Sequence, residues 1–498
     1  MYPTRLAAAT LVACAAAGCA VGPDYRSPAL AAPPRFEAPL PHGLQVSPRQ
    51  DGIPPVSGDA DLAWWRQFDD PLVAELVQEA RVDSPTLAQS LARVLQARAV
   101  YQAAGAARLP GLGLNASATR ARSVSAPGAS MVATSINRSL DASWEIDLFG
   151  ARAKAAEAAD ARWNARLADW QAVRISLAAE VAATLVDYRA CTVSVDILVQ
   201  DLQSRQSVAR LTGEALKTGY MPRAEGFLSD ASVASASERL LAQRTLCDID
   251  IKALVALTGL AEPDLRARLA AGSGELPRPQ AFVVEAVPAQ ALAQRPDIAA
   301  AERELAAAAA EINVAEAQRY PSLLLGGSIG VGRLRSDGLS GSADTWSFGP
   351  ASLSLPLFDG GRRKAEAAGA RGRYDEQAGV YRQRVRDAVR EIEEALVRLD
   401  AAARREGDAD IAALQYERYF QAGDEKFRAG ASGLLDLEEA RRNSLSARLT
   451  RVGVQLDRVQ AWIALYKALG GGWQAVPPAA PDAMPPVAIK PGEQPSRS

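Results

Sequence analysis

The sequence of 498 residues contains a single histidine, His42, and only 6% of its residues are aromatic. We find no Cys-X-X-Cys pair, phosphate-binding loop or nucleophile elbow either, so we expect no enzymatic activity and no cofactor. The net charge of −2 gives no basic surface for a nucleic acid. After the first 18 residues no apolar run approaches the roughly 20 residues of a membrane-spanning helix, so any membrane crossing would use strands. Alanine is abundant, with scattered glutamate and arginine, and this composition favours long, closely packed helices.

The N-terminus has the pattern of a secretory signal, with Arg5, an apolar run from Leu6 to Ala17, and then Gly18-Cys19. The small residues before Cys19 suit a lipoprotein cleavage site. We therefore predict that residues 1–18 are removed and that Cys19 receives acyl chains. Cys14, which has a shorter apolar run before it, is a rival site, and secretion without acylation is the other alternative. No aspartate follows Cys19 to indicate retention at a bacterial inner membrane.

Two cysteines, Cys191 and Cys247, remain after the leader and the acylation site. The midpoint between them is position 219, where Gly219 suits a sharp turn. An antiparallel helical hairpin that closes near Gly219 would place the two cysteines side by side, and the periplasm is an oxidising compartment. We predict a disulfide between them, and two unpaired thiols within the helix packing are the alternative.

The chain contains an internal duplication. Five landmarks of the first half recur in the same order in the second half at offsets of 209 to 211 residues, a regularity that is hard to obtain by chance. The pairs are Ser84-Pro85 and Arg295-Pro296, Leu109-Pro110 and Tyr320-Pro321, Leu148-Phe149 and Leu357-Phe358, Thr218-Gly219 and Ala429-Gly430, and Thr258-Gly259 and Leu469-Gly470. We predict two structural repeats, 61–270 and 271–475. An N-terminal tether of residues 19–60 precedes them, and a Pro-rich tail of residues 476–498 follows.

The periodicity of apolar residues changes within each repeat. A helical stretch over 61–108, interrupted at Ser84-Pro85, gives way to alternating apolar and polar residues that indicate strands. The predicted strands are 112–119, 140–147, 323–331 and 348–355, and the exposed loops between them are 120–138 and 333–345. Long helical patterns follow each strand pair, at 151–216, 224–257, 362–428 and 434–469. A continuous helix over 151–216 would span roughly 100 Å.

Each repeat therefore follows the order helix, strand, strand, long helix, turn, helix, and one chain supplies four strands. Four strands cannot close on themselves, and an open edge in lipid leaves backbone groups unpaired. Known barrels have eight or more strands, so we expect three copies to contribute twelve strands to a β-barrel. The predicted fold is an α+β membrane protein with duplicated halves, in which the trimeric β-barrel continues into a long periplasmic α-helical barrel. A soluble protein with two small hairpins is the alternative.

Four segments resemble those of one known family. They are Cys19-Ala20-Val21-Gly22-Pro23-Asp24-Tyr25, Trp64-Trp65 with Phe68-Asp69-Asp70-Pro71-Leu72, Arg295-Pro296-Asp297-Ile298, and Leu355-Pro356-Leu357-Phe358-Asp359-Gly360-Gly361. In combination they are similar to the TolC/OprM-like outer-membrane factors of tripartite efflux pumps, in the lipoprotein (NodT-type) branch. The resemblance runs from about Cys19 to Trp473. It implies a lipid-anchored homotrimer in the bacterial outer membrane that docks, through a periplasmic adaptor protein, to an inner-membrane efflux pump.

Two acidic residues, Asp436 and Glu439, lie at the start of the last predicted helix and share a face because they are three residues apart. In the resembling family, acids at this spacing line the inner mouth of the periplasmic end, which implies a periplasmic gate here. Threefold symmetry would convert each acid into a ring of carboxylates that attracts cations. Leu434 and Leu435 would add an apolar constriction beside it. Capping of the helix N-terminus is the alternative for both acids.

Both hairpin turns, at Gly219 and Gly430, are predicted contact points for the adaptor, and turn chemistry without a partner is the alternative. In well-known family members, a tyrosine three residues before the second turn glycine and an arginine two residues after it help to hold the tip shut. Phe427 and Ser432 occupy these places here. The prediction therefore concerns the location of the gate and not its lock. Glu225, after the first turn, is a candidate for a matching ring.

The sequence thus predicts a passive exit channel for drugs or toxic compounds, driven by the inner-membrane partner. An outer-membrane duct for type I protein secretion and a structural periplasmic lipoprotein are the alternatives. The lipoprotein start favours efflux over protein secretion. Metal-ion efflux ranks below organic compounds, because few methionines and one histidine offer no relay for soft metals.

Overall fold

The structure is a computed structural model that describes residues 70–126, 129–271, 276–277, 283–284, 288–336 and 339–471. It also describes positions 22, 25–29, 33, 35–38, 45–46, 65 and 68. The predicted signal peptide, Cys14, Cys19 and the Pro-rich tail lie outside the described residues.

The described chain is mainly helical. Its helices are α1 (Pro71–Asp83), α2 (Pro85–Ala106), α3 (Ala151–Lys217), α4 (Arg223–Thr258), α5 (Glu262–Ala271), α6 (Pro288–Ala293), α7 (Pro296–Ala317), α8 (Arg362–Arg428) and α9 (Leu434–Ala468). Its strands are β1 (Gln45–Val46), β2 (Gly111–Ala126), β3 (Ala129–Ile146), β4 (Val283–Val284), β5 (Ser322–Ser336) and β6 (Leu339–Ser354). None of the described helices combines the length and the apolar content that a membrane crossing requires.

The elements of the second half repeat those of the first half. The starts of α2 and α7, of α3 and α8, and of α4 and α9 are each 211 residues apart, and so are the starts of β2 and β5. α3 and α8 each contain 67 residues. This constant offset assigns each residue of the first set of helices a counterpart in the second set.

The helix boundaries follow from local sequence signals. α1, α2 and α7 begin with proline, which suits the first turn because its missing amide is not needed there. Asp70 caps α1 by accepting a hydrogen bond from the Leu72 amide at 3.0 Å, and Ser84 caps α2 through the Leu87 amide at 3.3 Å. α3 and α8 are each preceded by a glycine with positive φ.

The four long strands form one antiparallel sheet in the order β2-β3-β5-β6. The loops predicted over 120–138 and 333–345 are wrong, because the strands continue into these segments. β2 reaches Ala126, β3 begins at Ala129, β5 reaches Ser336 and β6 begins at Leu339. Antiparallel pairing satisfies the backbone groups even where serine, alanine and glycine have low strand propensity. β2 and β6 are the edges of the sheet and have no partner strand among the described residues.

The largest core lies where α1, α3, α7, α8 and α9 meet. Trp65 packs edge-on against Tyr466 with ring centroids 4.7 Å apart, and Phe68 packs against Trp462 at 4.9 Å. Beside this core, Arg189 of α3 forms a buried ion pair with Asp70 at 2.9 Å. The helices α5 and α6 and the parallel pair of β1 with β4 were not predicted from the sequence.

Candidate functional site

Both helical hairpins close in the same way. Gly219 and Gly430 have φ values of 79° and 72°. In each turn the glycine amide donates to the carbonyl three residues back, and the next amide donates to the carbonyl five residues back, which is the Schellman pattern. A Cβ at either glycine would meet no atom within 4 Å. The positive φ, and not crowding, therefore requires glycine at these two turns.

An ion network joins three helices near these turns. Glu438 of α9 accepts hydrogen bonds from Arg205 of α3 at 2.5 Å and from Ser232 of α4 at 2.9 Å through the same carboxylate oxygen. Its other oxygen accepts from Arg441 at 2.9 Å. Arg205 also donates to Asp201 one turn earlier on α3, at 2.9 Å. One carboxylate thus holds two arginines at the contact between α3 and α9.

Arg441 is the most buried member of this network, with 2% of its surface exposed. Its guanidinium lies over the ring of Phe420, 5.4 Å from the centroid. Nε and Nη2 have no hydrogen-bond acceptor among the described residues. Burial lowers the pKa of Arg441, and the charge of Glu438 acts in the opposite direction. Glu438 is therefore the strongest compensation for the positive charge of Arg441, and Asp201 and Asp424 add to it.

The start of α9 is held by an apolar cluster next to this network. Leu434 and Leu437 pack against Val208 of α3, and two phenylalanines of α8 flank them. Leu434 is only 1% exposed, so the prediction that it forms a pore constriction is wrong. Its side chain faces α3 and serves the packing of the two helices. Leu435, 70% exposed, points away from this cluster and remains a candidate for the constriction.

Asp436 and Glu439 are both exposed at the start of α9. Asp436 accepts a hydrogen bond from the Gly433 amide at 3.3 Å, so it caps the helix as the alternative interpretation expected. An exposed carboxylate can cap a helix and still face solvent, and the gate therefore stays a prediction. Glu225 lies in the first turn of α4, where an acid also suits the helix N-terminus.

Glu438 lies between the two predicted gate acids and was missed by the sequence reasoning. Its spacing of three residues from Arg441 was a signal for a pair on one helix face. The sequence offered no sign that Arg205 of α3 would meet the same carboxylate. Phe427 packs against the apolar cluster, and the Ser432 hydroxyl has no hydrogen-bond partner among the described residues.

The predicted cysteine pair joins α3 to α4 far from the turn of their hairpin, in the last third of α4. The structure joins Cys191 and Cys247 by a disulfide with the two Cα atoms 5.6 Å apart. Gln243 Nε2 donates to the sulfur of Cys191 at 3.2 Å. The bond fixes the register of α3 against α4 at a distance from the turn at Gly219.

Two carboxylates face each other on the same hairpin. Burial, together with the charge of Asp187, raises the pKa of Asp250 to about 6. Burial also raises the pKa of Asp187, and a hydrogen bond from Gln460 of α9 opposes this shift. Within the part of the chain that the structure describes, no group of three or more His, Cys, Asp or Glu side chains is placed to hold a metal ion.

The similarity to known proteins extends over both halves of the chain. The family described as "Outer membrane efflux protein" matches residues 76–260 and 287–471. The pyoverdine export outer membrane protein OpmQ of Pseudomonas putida is 32% identical over 453 residues, which is 88% of this chain and 95% of OpmQ. Nodulation protein T of Rhizobium leguminosarum bv. trifolii is 30% identical over 92% of this chain and 96% of its own length. The solved structure of the outer-membrane channel OprN has a TM-score of 0.81 at 28% identity and covers 92% of this chain and 100% of that chain.

Proposed function

Because the chain belongs to the outer membrane efflux protein family, we propose that it is the exit channel of a tripartite efflux pump and passively conducts drugs or other toxic compounds out of the cell. The resemblance drawn from the sequence motifs to TolC/OprM-like factors is confirmed by this membership. The observation that carries the proposal is the family match to both halves of the chain, 76–260 and 287–471. The homologues are outer-membrane efflux channels and not enzymes, and we propose that this chain likewise performs no reaction.

The open sheet supports a trimer. β2 and β6 both present unpaired edges, and three copies would supply twelve strands that could close into an outer-membrane β-barrel. Large apolar side chains are exposed along these strands, including Leu112, Leu114, Trp346 and Phe348. A surface of this kind suits contact with lipid. The helices of the repeats, 61–270 and 271–475, would continue from it as the periplasmic α-helical barrel.

The contacts of the N-terminal segment support lipid attachment at Cys19. Gly22 lies so close to Asn313 that an added Cβ would be 1.9 Å from its side-chain oxygen. Tyr25 donates from its hydroxyl to Glu302, also on α7, at 2.8 Å. The described part of this segment therefore lies along α7, with Gly22 nearer than Tyr25 to the end of α7 that leads into β5. An acyl chain on Cys19 would reach the membrane that contains the sheet.

Replacement of Cys19 tests this attachment directly. Cys19→Ser should abolish incorporation of radioactive palmitate, because the acylated sulfur is lost. Cys14→Ser is the matched control and should leave labelling unchanged. Labelling that persists in Cys19→Ser and disappears in Cys14→Ser would move the attachment to Cys14.

Partner docking and gating belong to the hairpin ends. We propose that the turns at Gly219 and Gly430 contact a periplasmic adaptor protein. The adaptor would connect this channel to an inner-membrane efflux pump. In a trimer, exposed Asp436 and Glu439 would each become a ring of three carboxylates, and such rings attract cations and narrow a pore. Leu435 would form the apolar part of the same periplasmic gate.

Growth of a deletion strain on antibiotics, dyes, detergents and metal salts tests the function. We expect sensitisation to several organic compounds, reversed by the gene supplied on a plasmid. Sensitisation to metal salts alone would replace drug efflux by metal efflux. Unchanged sensitivity together with loss of a secreted protein would identify a duct for type I secretion instead.

A further inference from the structure

The offset of 211 residues pairs the helix faces that are buried in a contact inside the chain with helix faces that are exposed in the single chain. The hairpins lie in the row α4–α3–α9–α8, in which each helix contacts the next. α3 meets α9 at the centre of this row. Counted by the offset, the counterpart of α3 is α8 and the counterpart of α9 is α4. These two counterparts, α8 and α4, lie at opposite ends of the row. A contact between them that matches the central α3–α9 contact can therefore form only between two copies.

Three exposed apolar side chains of α8 lie on this face. Each is 211 residues after an α3 side chain that contacts α9. They are Ile411 after Gln200, Tyr416 after Arg205, and Tyr419 after Val208. On α9, Gln200 bonds Arg448 at 2.7 Å, Arg205 bonds Glu438, and Val208 packs on Leu434 and Leu437. Side chains that would be buried at the matching contact are therefore apolar although they are exposed in a single chain.

Three exposed apolar side chains of α4 follow the same rule. Each is 211 residues before an α9 side chain that contacts α3. They are Phe227 before Glu438, Leu241 before Val452, and Ile249 before Gln460. Val452 shares a buried cluster with Ile197 and Leu198 of α3, and Gln460 donates to Asp187 of α3. Both ends of the row thus carry apolar residues at the positions that the central contact buries.

The matching positions at this face are complementary in chemistry. The counterpart of the ion pair between Arg205 and Glu438 is Tyr416 with Phe227, two aromatic rings that are 44% and 73% exposed in the single chain. Aromatic pairs at an interface bury large areas and prefer defined ring contacts.

We propose that α8 of one copy packs against α4 of a second copy in the geometry of the α3–α9 contact, with Tyr416 opposite Phe227 of the second copy. This aromatic seam takes the place that the network of Arg205, Glu438 and Arg441 occupies inside the chain. The proposal rests on the trimer of the proposed function and adds its residue pairing.

Cysteine bridging between copies tests the pairing. The full chain carrying Tyr416→Cys and Phe227→Cys is treated in membranes with a short bis-methanethiosulfonate reagent. We expect linked dimers and trimers on a denaturing gel that reducing agent converts to monomers, and none in either single variant. The control pair is Arg418→Cys with Phe227→Cys, because exposed Arg418 is about 200° around α8 from Tyr416. It should give no linked species.

Charge exchange gives an independent readout. Phe227→Glu places a carboxylate against an aromatic ring, and we expect loss of the trimer on a mild-detergent gel. Adding Tyr416→Arg reconstructs the ion pair found inside the chain and should restore the trimer. Failure of restoration, with trimers intact in the parent, would overturn the pairing.

The outcomes separate this inference from the proposed function. If an amine-reactive reagent yields trimers of the parent chain but only the control pair is bridged, the pairing is wrong and the trimeric channel stands. If the parent chain yields no trimers in membranes, the proposed channel itself fails.

Discussion

Replacing Glu438 with glutamine should loosen the contact between α3 and α9 near the hairpin ends. Glu438 is the only described hydrogen-bond partner of Arg441, through Nη1, and it also accepts from Arg205. A glutamine has a single acceptor oxygen and an amide that repels a second guanidinium. Glu438→Gln therefore leaves the buried charge of Arg441 without a hydrogen-bonded acid and with only the weaker influence of Asp201 and Asp424, whereas Arg205 keeps its bond to Asp201.

The size of the effect follows from burial. Removing one partner of a buried ion pair costs about 3–5 kcal/mol. Because the Glu438 side chain keeps 14% of its exposure and Arg205 retains a second acid, we take the lower end, about 3 kcal/mol. That value corresponds to about a 100-fold increase in the population in which the start of α9 has opened.

Hydrogen–deuterium exchange of the amides of residues 434–445 measures this population. We expect exchange about 100-fold faster in Glu438→Gln, and less than about twofold faster in Glu439→Gln, an exposed acid one residue away. Equal exchange in the two variants would refute the reasoning that the network holds α9 against α3.

Three further predictions concern the same hairpins. Alanine at both Asp436 and Glu439 should raise single-channel conductance and weaken block by multivalent cations, and unchanged values would contradict the gate. Nonreducing mass mapping should yield one peptide joining Cys191 to Cys247, which are 56 residues apart, and reduction should cost up to about 4 kcal/mol of stability; two free thiols would contradict the bond. Burial raises the pKa of Asp250 from 3.8 to about 6, so the stability that its protonated form contributes is full below pH 3.8 and is lost as the pH rises through 6. Asp250→Asn should therefore stabilise the protein by about 1–2 kcal/mol at pH 8 after screening by solvent, and not below pH 4; an equal effect in denaturant titrations at both pH values would contradict this.

The long helices could be predicted closely because their limits depend on local signals. Arg362–Arg428 contains no proline, follows a glycine and ends just before the turn glycine Gly430, and its predicted range agrees with the structure. Strand length could not be predicted, because β2 and β3 continue through residues whose side chains show no strand pattern. Their extension depends on hydrogen bonds to a strand that the sequence does not identify.

The candidate site was harder to predict than the fold. Spacing places Asp436 and Glu439 on one helix face, but only packing determines which face meets α3. The buried side chains at the start of α9 are Leu434, Leu437, Ala440 and Arg441, which repeat at intervals of three and four residues. From the sequence alone, an arginine in such a stripe is expected to face solvent. The buried face of α9 was therefore misassigned, and neither the orientation of Leu434 nor the role of Glu438 could be predicted.

The difference between the two related seams has a physical reason. Inside one chain, α3 and α9 are already tethered, so their contact can include buried charges whose desolvation consumes most of their attraction. Two separate copies must also overcome the loss of translational and rotational freedom, which apolar area offsets better than a desolvated ion pair. Duplicated sequences that began alike would therefore diverge at this face, towards ions at Arg205 and Glu438 and towards rings at Tyr416 and Phe227. Tyr416 of α8 and Phe227 of α4, which are exposed in the single chain, are the aromatic residues that a contact between two copies requires.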